Sequence, residues 1–105
     1  MNVISKRPFL AAARNYPNDR TALLEMFKVL RKMNFNTPDE LRAVFPSLDN
    51  FKYRDKWWVL DVGGNNLRTI VFIQFVNKRI FIKYIVNHAD YAKLTEAFRK
   101  ANDRK

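Results

Sequence analysis

His88 is the only histidine in the chain. It stands where a strand-like run, Arg79-Ile-Phe-Ile-Lys83-Tyr-Ile-Val-Asn87, gives way to a helical one. An imidazole ordinarily titrates close to neutral pH, so it can give or take a proton under physiological conditions. Upstream, the only two glycines, Gly63 and Gly64, open a turn that runs into Arg68. Arg68 and Lys83 are phosphate-binding types, the first a planar fork and the second a point charge. Tyr91 follows His88 by three residues, about one helical turn, so the two can share a face. Together these residues suit cleavage of RNA. The 2′-hydroxyl can attack the adjacent phosphorus without a metal. The protein must then help deprotonate that hydroxyl, offset charge on the phosphorane and protonate the departing 5′ oxygen. His88 is the preferred proton donor, and Arg68 and Lys83 the phosphorane stabilisers. Lys83 as base, and Tyr91 as stacking or proton-transfer group, stay open. So does the plainer reading, in which His88 caps the last helix and Tyr91 packs it onto a sheet.

Charge points to the class of partner. Lys and Arg number 20 against 10 acidic residues, a formal net charge of +10. Such a chain seeks an anionic partner, nucleic acid first, with a membrane surface or an acidic protein as alternatives. Arg54, Lys56, Lys78 and Arg79 lie in or beside expected turns. With Trp57 they make up the expected RNA-contacting set. The chain has no cysteine, which excludes disulfides and thiolate metal sites. A single histidine argues against zinc, and no cofactor is expected. No apolar stretch near Met1 resembles a signal peptide or a membrane span, so the expected location is the cytoplasm.

The elements that must position these residues follow from periodicity. The 105 residues, 48% of them hydrophobic and nine of them Phe, are enough for one domain with a modest core. Asn2-Val-Ile4 suits a short strand, and Ser5 an N-cap for a helix that Pro17 ends. Leu23, Met26, Phe27, Leu30 and Met33 recur at helical spacing. Thr37-Pro-Asp-Glu40 has the order of a capping box, opening a short helix that Pro46 closes. From Phe51 the period becomes that of strands: 51–54, 57–62, 67–75 and 79–86 read as an antiparallel meander. A last helix over 89–101 leaves a charged tail, Asn102 to Lys105, expected to fray. The fold class is α+β.

A two-residue turn at Asn77-Lys78 would set Phe72 opposite Lys83 and Arg68 opposite Asn87. A four-residue turn at 63–66 sets Trp57 opposite Phe72 and Asp61 opposite Arg68, where they can form an ion pair. Alternation then gives one mixed face, with Trp57, Asp61, Arg68, Phe72, Phe81, Lys83 and Ile85. The other face is almost wholly apolar, with Tyr84 and Val86 on it, and the helices should pack there.

Three segments carry a family likeness: Ala43-Val-Phe-Pro-Ser-Leu-Asp-Asn-Phe-Lys-Tyr53, Asp61-Val-Gly-Gly-Asn-Asn-Leu-Arg68 and Asn87-His-Ala-Asp-Tyr91. Together they resemble the HigB toxins of bacterial toxin–antitoxin systems, part of the RelE-like group of messenger-RNA-cleaving toxins. The likeness covers nearly the whole chain. It implies a small RelE-like fold and a ribosome-dependent endoribonuclease that cuts messenger RNA during translation. It also implies a HigA-type antitoxin with a helix-turn-helix that binds operator DNA. Asp61 and Lys83 depart from the family pattern, which has Asn and Arg there. The first sets an anion beside Arg68, and the second loses a bidentate fork. Composition alone also fits a non-catalytic basic RNA-binding or ribosome-associated module.

Overall fold

Capping and proline signals set the helices. A computed structural model describes residues 1–4, 7–64 and 66–103, so the expected cap Ser5 lies outside the described residues. Strand β1 is Asn2–Ile4, as expected. Helix α1, Arg7–Asn15, stops before Pro17, and one 3-10 turn over Pro17–Asp19 leads into α2, Arg20–Lys32. The Met1 amino group donates to the carbonyls of Leu30 (3.0 Å) and Met33 (2.5 Å), at and just past the end of α2. Backbone carbonyls at a helix C-terminus lack intrahelical partners, and β1 is tied down through them. Helix α3, Pro38–Val44, begins with the expected capping box. The Thr37 hydroxyl accepts from the Glu40 amide (3.3 Å), and Glu40 Oε2 accepts from the Thr37 amide (3.1 Å).

The remaining elements are β2 (Asp49–Asn50), β3 (Trp57–Val62), β4 (Leu67–Gln74), β5 (Arg79–Asn87) and α4 (His88–Asp103). Residues 51–54, expected to be a strand, form a turn in which the Arg54 amide donates to the Phe51 carbonyl (3.2 Å). Phe51 is buried, so this segment serves as a plug and pairing passes to the two residues before it. The sheet has the order β1-β5-β4-β3-β2. It is mixed rather than a pure antiparallel meander, because β1 runs parallel to β5.

The β3–β4 register is the expected one, with Trp57 opposite Phe72 and Asp61 opposite Arg68. The β4–β5 register differs twice. The turn spans the four residues Phe75 to Lys78, so Gln74 meets Arg79 and Phe72 meets Phe81 rather than Lys83. A slip of two keeps every side chain on its face. Between Ile70 and Val71 the register then shifts by one, because Ile82 and Tyr84 pair with neighbouring residues and Lys83 is extra. This bulge reverses the faces of the residues beyond it. Tyr84 and Val86 join the mixed face, opposite Ile70 and Arg68, and Ile85 turns to the apolar one, opposite Thr69.

Helices α1 to α3 cover the apolar face, where Leu23, Leu30, Leu41, Leu60, Val71 and Ile80 are fully buried. Burying one such side chain contributes about 1.5–3 kcal/mol. Helix α4 does not join them. It crosses the mixed face, where Tyr91, Leu94 and Phe98 close over Phe51, Val59 and Ile70. Among the described residues no helix is long and apolar enough to cross a membrane.

Two local features have measurable consequences. Gly63 and Gly64 both hold positive φ (63° and 62°) in the β3–β4 turn. A Cβ on Gly63 would collide with the Asp19 carboxylate, which accepts a hydrogen bond from Asn66 Nδ2 (3.1 Å), whereas Gly64 faces open space. Gly64→Ala should cost about 1 kcal/mol for left-handed backbone. Gly63→Ala should cost about 1 kcal/mol more, since Asp19 must release Asn66. Urea denaturation of both variants measures the difference. Thr69 is fully buried on the apolar face, and its Oγ1 has no hydrogen-bond partner among the described residues. Thr69→Val should raise unfolding stability by about 1 kcal/mol in the same experiment.

Candidate functional site

Strand β5 ends at Asn87 and α4 begins at His88 with no residue between them. Asn87 makes this possible: its Oδ1 accepts from the Asp90 amide (2.8 Å), occupying one of the free donors of the first turn. His88 is therefore not the cap. It is the first helical residue, and it is exposed. Asp90 lies in the first turn, where an anion complements the helix dipole. Leu67 pairs with Asn87 and Arg68 with Val86, so His88 emerges at the end of the sheet that carries Arg68.

Arg68 is held from two sides. Its guanidinium carbon lies 4.5 Å from the centroid of the Tyr91 ring, and its Nε lies 3.7 Å from Asp61 Oδ1. The expected ion pair thus exists, at a distance too long for a hydrogen bond. Both side chains are roughly a quarter to a third exposed, which limits the pair to about 1 kcal/mol or less. The ring contact is worth about 0.5–1 kcal/mol. Arg68 Nε is buried and has no hydrogen-bond partner among the described residues. Tyr91 takes the packing role and also borders the site: it docks α4 on the sheet and carries the guanidinium on its ring.

Lys83 shares this face but belongs to a second cluster. Its Nζ lies 5.6 Å from the Trp57 ring centroid and 5.8 Å from that of Phe81. Phe81 in turn stacks on Phe72, with centroids 5.6 Å apart and planes at 28°. Phe72 is four residues along β4 from Arg68, about 13 Å at strand spacing. Phe98 of α4 packs edge-on against Trp57 (5.8 Å) and Tyr84 (6.3 Å) at this second cluster. The mixed face therefore presents two groups: His88, Arg68 and Tyr91 at one end, and Lys83 among aromatic rings toward the other. Periodicity assigned Tyr84 to the apolar face. The core-facing residues Ile80 and Ile82, both buried, and Ile85, partly buried, did carry a signal of the bulge, because their spacing breaks from two to three.

The expected RNA-contacting residues divide as well. Arg54 is committed to structure: Nη1 donates to the Tyr53 carbonyl (3.0 Å) and to Asn102 Oδ1 (3.0 Å), and its guanidinium lies over the Phe98 ring at 4.6 Å. Asn102, expected in a fraying tail, is pinned by these contacts and is helical. Lys78 holds φ at 56°, and its Nζ donates to the Phe35 carbonyl (3.0 Å) and to Asn36 Oδ1, which ties the β4–β5 turn to the segment before α3. Lys56 and Arg79 are exposed, and Trp57 is half-buried. Among the described residues, no group of three or more His, Cys, Asp or Glu is arranged to hold a metal ion.

The family model for HigB toxins, described as the RelE-like toxic component of a toxin–antitoxin system, matches residues 19–94. The chain belongs to the HigB toxin family. It is 59% identical over 100 residues to a protein named mRNA interferase HigB from Escherichia coli O6:H1, covering 95% of this chain and 97% of that one. It is 38% identical over 99 residues to the mRNA interferase toxin HigB of Escherichia coli K12, covering 94% and 95%. A relative from Shigella flexneri, named mRNA interferase HigB, is also 38% identical over 99 residues. As the toxic component of such a system, a HigB toxin has an antitoxin as its partner. The matched span holds Asp61, Arg68, Lys83, His88 and Tyr91.

The Asn87 cap makes a specific demand. Asn87→Ala should lower unfolding stability by about 1 kcal/mol. It should also speed amide exchange in the first turn of α4, with the rest of the sheet unchanged, as read by hydrogen–deuterium exchange.

Proposed function

We propose that this HigB toxin is a metal-independent endoribonuclease that cuts messenger RNA on the translating ribosome in the cytoplasm. In this reading a HigA-type antitoxin with a helix-turn-helix neutralises it, and their complex binds operator DNA. The observation that carries the reading is the single exposed imidazole at the first turn of α4, at the same sheet end as a guanidinium held against Tyr91 and Asp61. The relatives' names as mRNA interferases support it.

The 2′-hydroxyl of the nucleotide before the cut attacks the adjacent phosphorus and loses its proton to water. Arg68 bonds to the non-bridging oxygens as charge builds on the phosphorane. The imidazolium of His88 gives its proton to the departing 5′ oxygen. The products are a 2′,3′-cyclic phosphate and a 5′-hydroxyl end. Tyr91 positions Arg68. Lys83, in its aromatic cluster, contacts the phosphodiester backbone beyond the cut, with Phe72 and Phe81 as stacking surfaces for bases. Lys56 and Arg79 add backbone contacts. Arg54 and Lys78 act through the fold.

Mapping of RNA ends in a translating extract tests the reading. His88→Ala and Arg68→Ala should each lower cutting by about 100-fold or more while their melting curves stay near that of the parent. Growth arrest on production of the toxin alone should be lost with them. Full cutting by both folded variants would refute the site. RNA binding with no cut product from the parent would favour the non-catalytic RNA-binding module.

A further inference from the structure

The face of α1 and α2 turned away from the sheet bears an apolar groove of about 130 Å³ whose rim is built from exposed leucines. Leu10 is 64% exposed and Leu24 45% exposed, with Ala13 and Phe27 completing the trough between the helices. The groove continues at both ends into shallow depressions that carry only cations. Arg14 and Arg20 line one, sharing Leu10 and Ala13 with the groove. Lys28, Arg31 and Lys32 line the other, sharing Phe27. No acidic residue lines any of the three. Glu25, on α2, lines a separate depression with Met26, Val44 and Asp61.

Exposed leucines over a ready trough mark a contact surface rather than a solvated one. A strip of apolar surface between two helices is what a third amphipathic helix fills. Helix α1 has nine residues and is about 14 Å long, so the strip matches a helix of roughly three turns. The cations at both ends select an occupant with acidic residues flanking its apolar face, and the chain's net charge of +10 favours the same sign. RNA would suit the cations but leaves the leucines unmatched.

We infer that an acidic amphipathic helix of the antitoxin docks in the α1–α2 groove, on the face of the sheet opposite His88 and Arg68. The inference rests on the toxin–antitoxin reading for the identity of the partner, and it assigns that partner a place.

The test is titration calorimetry with the full-length cognate antitoxin of this toxin as the probe. All toxin samples carry His88→Ala, so that they can be produced without growth arrest and binding is read independently of RNA cleavage. Leu10→Asp and Leu24→Asp should each weaken binding about tenfold or more. Lys28→Glu with Arg31→Glu should reduce the salt dependence of the association rate. The exposed positions should leave the melting temperature near that of the parent, and Leu10→Ser provides a milder variant at the same site. Binding of the Leu10→Asp/Leu24→Asp pair within twofold of the parent overturns the inference. So does a parent that fails to bind this antitoxin, or a change in self-association of the toxin caused by the same pair. Loss of RNA cutting in the His88 experiment is a separate result and leaves this binding test standing.

Discussion

The direct passage from strand to helix at Asn87 and His88 is the constraint on which the candidate site depends. A chain that leaves the end of a strand and becomes helical at once can satisfy a first-turn amide with its own last strand residue. Asn87 can do so because its side-chain oxygen reaches the Asp90 amide. The reversal then folds α4 back across the sheet that it has just left. Tyr91 lands on Arg68, Phe98 lands among Trp57, Phe51 and Tyr84, and Asn102 reaches the turn at Tyr53 and Arg54. One capping bond thus links the position of the imidazole to the support of the guanidinium.

The bulge at Lys83 is the second device. An extra residue lets Lys83 and Tyr84 both serve the mixed face while Ile82 and Ile85 remain in the core. A regular strand would have buried one of the two polar-tipped side chains against α1 to α3. Bulges recur beside functional sites for this reason, since they re-aim side chains without breaking the ladder. Here the result is a face with two stations. The Arg68 guanidinium lies under α4, and an open group of rings and a cation lies along the same strands. The proposed function has one single-stranded polyanion engage both.

The two faces of the sheet also differ in electrostatic role. On the α4 side the cations are partly spoken for: Arg68 by Asp61 and Tyr91, Arg54 by Asn102 and Phe98. On the α1–α2 side they stand at the ends of an apolar trough. A formal charge of +10 therefore does not act as a uniform coat. It is divided between cations set among aromatic rings on the α4 side and cations at the ends of an apolar trough on the other, and Lys78 shows that some of it is simply structural.

Much of this architecture was legible in the sequence. Capping chemistry is local, so Thr37-Pro-Asp-Glu40 announced α3, and the adjacent glycines announced the turn that pairs Asp61 with Arg68. Hydrophobic period separated helices from strands for the same reason. The lone histidine, Arg68 and Lys83 are residue types whose chemistry can be read without a structure. What the sequence left open depends on contacts between distant segments. A four-residue turn and a bulge decide which residues oppose Lys83, and pairing energies across strands settle that choice, not the identity of any one residue. Tertiary structure alone decided that α4 would cover the mixed face, that Phe51 would plug a turn, and that Arg54 and Lys78 would be tied to carbonyls and amide oxygens. A cation's type gives its charge, but only the packing around it fixes whether that charge remains free to meet a phosphate.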